Sequence, residues 1–216
     1  MSAPKRRYSS EAEPTRQRIL AAALECISVT AAGKLSVRAI AATAGVNVAT
    51  VHYYFRTKDA LVTEALGLFF SPVMARLQSL LDGEGSARAR LEGFLLFYIE
   101  QFHEYPGIFT SLIEAIIASD LRGDPDAPNA YEKALLAVIG LGRPRIMELV
   151  REVTGRDDEE ELALKTLQVM TGVVHPMFLS TIPLGQFGVD FRDPQIRRRY
   201  VALLVDSLGA GSPTPR

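Results

Sequence analysis

Two short amphipathic helices that meet across a single glycine constrain the fold of this chain more than any other feature. Ile40, Ala44 and Val51 are apolar at helical spacing, so we expect them to face inward. Gly45 lies at the junction, and glycine adopts the positive φ of a sharp turn without strain. The segment is therefore typical of a helix-turn-helix.

One face of the second helix in this pair is expected to stay exposed, because it is not needed for packing. At about 100° per residue, Val51 and Phe55 fall on one side of the helix. The opposite side carries Val48, Ala49, His52 and Tyr53. A short helix with aromatic and hydrogen-bonding side chains on its exposed face is suited to contact a partner. In a helix-turn-helix that partner is double-stranded DNA, and the second helix enters its major groove.

Residues from about 15 to 66 resemble the DNA-binding head of the TetR family of transcriptional regulators. The matching features follow in order: a first helix with Ile19-Leu20-Ala21-Ala22-Ala23-Leu24 that runs on to Gly33, a second helix started by Ser36, Gly45-Val46, Thr50-Val51-x-Tyr53-Tyr54-Phe55, and Lys58-Asp59-x-Leu61. Two positions depart from the family pattern: His52 replaces the usual Tyr, and Ala49 replaces a common Gly. Both are on the exposed face, so they affect which DNA sequence is read.

Several residues of the head are candidates for DNA contact. Arg38 is within reach of a base edge or a phosphate, and Ser36 caps its helix at an end where free amides suit a phosphate. Asn47 caps the recognition helix, and the resemblance implies that Lys58 holds a phosphate. The predicted DNA-binding set is Ser36, Arg38, Asn47, Val48, Ala49, Thr50, His52, Tyr53, Tyr54 and Lys58. For Tyr54, a contact to the DNA backbone and a half-buried core role are both open.

The distribution of charge supports a polyanionic partner independently of the motif. The net charge is −1, but residues 1–60 contain nine Lys and Arg against four acids, whereas the remainder contains 15 against 21. A basic head on an acidic body directs only one end of the molecule toward nucleic acid.

Helical periodicity continues along the whole chain, and no segment alternates as a strand does. We predict an all-α protein of about nine helices, with a three-helix DNA-binding domain and a C-terminal helical domain. The predicted divisions are a flexible basic arm (1–14), the helix-turn-helix domain (15–60), a ligand-binding and dimerisation domain (61–208) and a flexible tail (209–216).

The sequence disfavours an enzyme or a metal-binding protein. The three histidines are scattered, the lone Cys26 lies in the apolar stripe of the first helix, and no Gly-rich phosphate loop follows a strand. We therefore expect neither enzyme activity nor a metal or other cofactor.

Residues 166–189 contain no charged side chain, but Pro176 and Pro183 interrupt them, which favours a buried helix over a membrane span. No apolar run follows the basic N-terminus, so we expect a cytoplasmic protein.

The resemblance implies that the C-terminal body dimerises and senses a small molecule. Aromatic and methionine side chains around a few polar groups typically line an apolar pocket, although core packing is the commoner explanation for any single one of them. His175, followed by Pro176, is the polar candidate. The predicted lining is Phe97, Tyr98, Phe102, Phe109, Ile113, Met147, Met170, His175 and Phe178.

Two helices are the best candidates for the homodimer interface. The helix at about 159–181 is uncharged over most of its length, and the helix at about 193–208 alternates leucines with arginines. Two heads related by a two-fold axis would read a palindromic operator. The predicted function is a ligand-released repressor. A ligand-independent activator or architectural factor, and a helical protein-interaction module, stay open as alternatives.

Overall fold

A computed structural model describes residues 8–30, 34–120, 130–179 and 188–209. These residues form helices and connecting turns, with no strand among them. The helices are α1 (Tyr8–Val29), α2 (Val37–Ala44), α3 (Val48–Tyr54), α4 (Lys58–Asp82), α5 (Ala87–Glu104), α6 (Pro106–Asp120), α7 (Ala130–Thr154), α8 (Glu159–Leu179) and α9 (Pro194–Gly209). The predicted all-α class with about nine helices is confirmed over this part of the chain.

Side-chain caps explain why several helices begin where the sequence predicts. The hydroxyl of Thr57 accepts a hydrogen bond from the Ala60 amide at the start of α4 (3.0 Å). Ser86 does the same for the Ala89 amide at the start of α5 (3.2 Å). Each cap satisfies an amide that the helix itself leaves without a partner.

The first helix differs from the prediction. It begins at Tyr8, so residues 8–14 of the predicted arm are helical. The prediction treated Pro14 as a boundary, but Pro14 lies inside α1. Proline removes one amide donor, and the helix continues on either side of that missing bond. Residues 1–7 and 210–216, the rest of the predicted arm and nearly all of the tail, lie outside the described residues.

The chain divides into two compact units by the contacts within it. The first unit comprises Met1–Pro72 and Tyr105–Val138, and the second comprises Val73–Glu104 and Ile139–Arg216. The helices α4 and α7 therefore contribute residues to both units. The helix α6 belongs to the first unit and packs against α1 of the head.

In the first unit, α6 is attached to the carboxyl end of α1. The buried hydroxyl of Ser111 donates to the Ile27 carbonyl (2.9 Å) and is 3.3 Å from the Thr30 carbonyl. The last carbonyls of a helix have no partner within it, so this hydroxyl satisfies groups that burial would otherwise leave unpaired. Gly107 approaches α1 so closely that a Cβ there would overlap the Ser28 carbonyl.

We expect Gly107→Ala to lower the free energy of unfolding by about 1–3 kcal/mol, because backbone atoms that cannot rotate away would have to shift. Gly67→Ala is the matched control, since nothing lies within 4 Å of a Cβ at that helical position. Alanine there should be neutral or stabilise by up to about 1 kcal/mol. Denaturant unfolding at one fixed protein concentration measures both variants. Equal effects of the two substitutions would contradict the packing of α6 on α1.

In the second unit, α9 packs against α5 and α8. Lys165 of α8 is buried and donates to the Leu208 carbonyl (2.7 Å), where a cation suits the carboxyl end of α9. The Tyr200 hydroxyl donates to the Gly172 carbonyl (2.7 Å). A Cβ at Gly172 would come within 2.7 Å of Leu204 Cδ1, so the missing side chain lets α8 and α9 approach closely.

One helix in the described part of the chain, α4, is long and apolar enough to cross a membrane. Seven of its apolar residues are buried in the protein: Leu61, Val62, Ala65, Leu66, Phe70, Leu77 and Leu81. A helix that packs on a protein core is long and apolar in the same way, so length and composition are weak grounds for a membrane span.

Candidate nucleic-acid interface

The helix-turn-helix is fixed by local hydrogen bonds at each helix end. Ser36 has extended backbone angles, and its hydroxyl accepts from the Ala39 amide (3.2 Å). Gly45 ends α2 at φ 64°, the left-handed conformation predicted for this glycine. The Gly45 and Val46 amides donate to carbonyls of the last turn of α2 (3.2 and 3.0 Å). Asn47 then starts α3 by accepting from the Thr50 amide (2.7 Å).

Burial separates the two sides of α3. Ile40, Val51 and Phe55 are at most 4 % exposed, so they anchor the pair of helices from below. Three residues face outward, and we call them the recognition face: Ala49, His52 and Tyr53. Tyr53 is 82 % exposed, which makes it one of the large apolar side chains that packing leaves uncovered.

Two other predicted residues of α3 are partly covered. Val48 is half-buried. Tyr54 is also half-buried, and its ring meets the Tyr53 ring edge to face at 5.1 Å between centroids. Tyr54 therefore supports Tyr53 from the side, and this packing favours the half-core alternative for Tyr54.

The Thr50 hydroxyl already takes part in the cap of its own helix. Its hydroxyl lies 3.0 Å from Asn47 Oδ1 and donates to it, while the same oxygen accepts from the Thr50 amide. The hydroxyl has a single proton, so donation to a phosphate would require it to rotate away from Asn47.

Three predicted phosphate contacts meet at the amino end of α2. Lys58 Nζ donates to the Leu35 carbonyl at 3.4 Å, directly before the capping residue Ser36. Arg38, the second residue of α2, is exposed. An ammonium group has three donors, so two stay available to a phosphate beside the free amides of the helix start. The folded chain thus brings Lys58 close to Ser36, although they are 22 positions apart.

Sequence reasoning missed two residues that support the head: Arg16 and Ser111. Arg16 lies one turn before the buried stripe of α1, which contains Leu20, Ala23 and Ile27. The position of this cation in line with the apolar stripe was the signal that could have identified Arg16 as a supporting residue. Nothing in the local sequence of α6 showed that Ser111 reaches α1, because 84 positions separate Ser111 from its acceptor Ile27.

The predicted pocket residues fall in both units. Phe109 and Ile113 belong to the first unit, where Phe109 is buried and its ring lies 6.0 Å from the Phe70 ring. The other seven belong to the second unit. There Tyr98 is flanked by Phe94 at 6.3 Å and by Phe102 at 5.5 Å between centroids.

Burial raises the pKa of Tyr98 to about 12, so its phenol stays neutral at physiological pH. Phe97, Met147 and Met170 are half-buried. The side chains of His175 and Phe178 lie outside the description. A neutral phenol among aromatic rings suits contact with an apolar molecule.

The two helices predicted for dimerisation carry uncovered leucines. Leu164 and Leu167 on α8 are each 60 % exposed, and Leu203 on α9 is 59 % exposed. We call these three the leucine patch. Because α8 contacts α9, the patch belongs to one packed pair of helices.

Comparison with known proteins gives the same fold. A candidate transcriptional regulator from Pseudomonas aeruginosa PAO1 has 23% sequence identity and a TM-score of 0.70, with 97% of each chain covered. A TetR-family regulator from Streptomyces coelicolor has 17% identity and a TM-score of 0.70, covering 91% of this chain and 94% of its own. The fatty acid degradation regulator FadR from Bacillus halodurans has 15% identity and a TM-score of 0.64, covering 92% and 96%. No curated protein sequence matches significantly.

The fold and the exposed α3 define a helix-turn-helix DNA-binding protein. The family model for bacterial regulatory proteins of the tetR family matches residues 19–65. This confirms the resemblance noted in the sequence for the helix-turn-helix head: residues 19–65 match the tetR family, and a solved TetR-family regulator shares the fold of the described chain.

Proposed function

We propose that this regulator acts as a homodimeric repressor that a small apolar or amphipathic molecule releases from a palindromic operator. The observation that carries the proposal is the recognition face: His52 and Tyr53 stay in water while Val51 and Phe55 hold α3 from beneath. The basic head supplies the attraction to phosphate. The proposed site of action is the cytoplasm, where the chromosome of a bacterium lies.

The proposed functional division keeps DNA binding at residues 15–60 and assigns the rest of the body to the ligand and the partner subunit. Support for the dimer comes from the leucine patch, because water-exposed leucines on a packed helix pair gain free energy when a second copy covers them. Support for the ligand comes from the buried aromatic side chains of α5.

A reporter gene tests the repressor role. Its promoter would carry, over the polymerase site, the duplex that the protein selects from a random pool. We expect the wild-type chain to lower expression and Tyr53→Ala to restore it. If the wild-type protein raises expression, the chain is an activator. If it binds every duplex equally in a salt-dependent way, it is an architectural factor.

The thermodynamic linkage between ligand binding and DNA binding tests the proposed release by a ligand. Fatty acids of increasing length, followed by a panel of uncharged apolar compounds, would be titrated into the protein with and without operator DNA. A compound that releases the operator must bind more weakly when the operator is present, by the same factor that it weakens DNA binding. Equal affinity in the two titrations would contradict ligand release by that compound.

A further inference from the structure

We infer that Arg16 is a positioning residue for DNA reading: it fixes the carboxyl end of the recognition helix without touching DNA itself. This inference rests on the proposed use of α3 for reading the operator. Two contacts define it. The Arg16 guanidinium forms an ion pair with the Glu64 carboxylate of α4, and its Cζ lies 5.2 Å from the centroid of the Phe55 ring.

The recognition helix needs support from outside itself. The seven residues of α3 are far fewer than an isolated helix requires for stability in water. Within α3 only Val51 is buried, and the next anchor is Phe55, the residue that ends the helix. The Phe55 amide donates to the Val51 carbonyl at 2.8 Å, so the backbone of the last turn follows wherever the Phe55 ring is held.

Arg16 holds that ring in a way that suits a guanidinium in particular. A planar, delocalised cation stacks on an aromatic face while its edge pairs with a carboxylate. Here the guanidinium carbon lies over the Phe55 ring and Nη2 pairs with Glu64, so one side chain joins α1, the end of α3 and α4. Both charged side chains are about one third exposed, so salt and water weaken the pair only in part.

The ion pair also makes Arg16 a poor phosphate ligand, because its charge is already matched by Glu64. This separates it from Arg38 and Lys58, which are exposed at the amino end of α2. Loss of a phosphate contact weakens binding to all duplexes and lowers its salt dependence. Loss of a positioning contact misaligns the recognition face, so it lowers specific binding and leaves non-specific binding nearly unchanged.

The experiment compares Arg16→Met with Arg18→Met, an exposed arginine two positions along the same helix. Affinity for the selected operator and for a scrambled duplex would be measured across salt concentrations, at a temperature where thermal scans show each variant fully folded. We expect Arg16→Met to lower the specific-to-non-specific ratio about tenfold with an unchanged salt slope. We expect Arg18→Met to leave the ratio unchanged.

Two more variants test the chemistry. Arg16→Lys keeps the charge but loses the planar face, so it should show most of the loss. Glu64→Gln leaves Arg16 over the Phe55 ring but removes the ion pair, so it should lower the specific-to-non-specific ratio by less than Arg16→Met does. If Arg16→Met does not fold, Glu64→Gln tests the inference in its place. An unchanged ratio in Arg16→Met, full activity of Arg16→Lys, or a salt slope lower by about one would each overturn the inference. If the wild-type protein prefers no duplex, the proposed function itself fails.

Discussion

Glutamate in place of both Leu167 and Leu203 is expected to split the proposed homodimer and to lower operator affinity by about a hundredfold or more. Each leucine is about 60 % exposed on the α8–α9 pair, so the single chain tolerates a charge there. A two-fold interface would bury both glutamates of each copy without partners, which is costly. Sedimentation velocity measures the assembly, and fluorescence anisotropy with the operator duplex measures the affinity.

Leu68→Glu is the matched control for this variant. Leu68 is also an exposed leucine (47 %), but it lies on α4 in the first unit, whereas the proposed interface belongs to the second unit. It should leave both the dimer and the operator affinity unchanged. If the Leu167/Leu203 variant sediments as the wild-type dimer and binds operator equally well, the α8–α9 interface is wrong.

Tyr53→Ala is expected to weaken operator binding by about 1–3 kcal/mol, or roughly 5- to 150-fold, without a change in stability. The ring is 82 % exposed, so the folded chain loses almost no packing with it. Binding to a scrambled duplex should change little, because Tyr53 carries no charge to release counterions. Gel-shift titration at one fixed salt concentration, with a parallel thermal scan, measures both quantities.

Two comparisons sharpen this result. Tyr53→Phe keeps the ring and removes the hydroxyl, so it separates apolar contact from hydrogen bonding. Arg38→Ala should lower operator affinity by a similar amount, again without unfolding the protein. Unchanged operator affinity in both Tyr53→Ala and Arg38→Ala would refute the assignment of this surface to DNA.

The helix-turn-helix could be predicted from sequence because its determinants are local. The caps at Ser36 and Asn47 bond to amides three positions away, and the φ of Gly45 follows from its lack of a side chain. Burial of Val51 and Phe55 follows from the period of the helix. Each of these depends on neighbours within one or two turns, so the pattern of residue types is sufficient.

Features that depend on distant parts of the chain could not be predicted in this way. The attachment of α6 to the head depends on Ser111 reaching carbonyls of α1 and on the bare backbone of Gly107. Neither residue type signals such a contact in its own segment. The contact of Arg16 with both Phe55 and Glu64 likewise joins three helices, and only the folded head brings them together.

Selection of bound duplexes from a random pool examines DNA reading, dimer symmetry and half-site spacing in one experiment. A homodimer that reads DNA through α3 should enrich a palindrome whose half-sites are centred roughly 34–36 Å apart or somewhat more, and Tyr53→Ala should abolish that enrichment. Enrichment of no sequence, or of a single half-site without its inverted copy, would contradict a homodimer that reads DNA through α3.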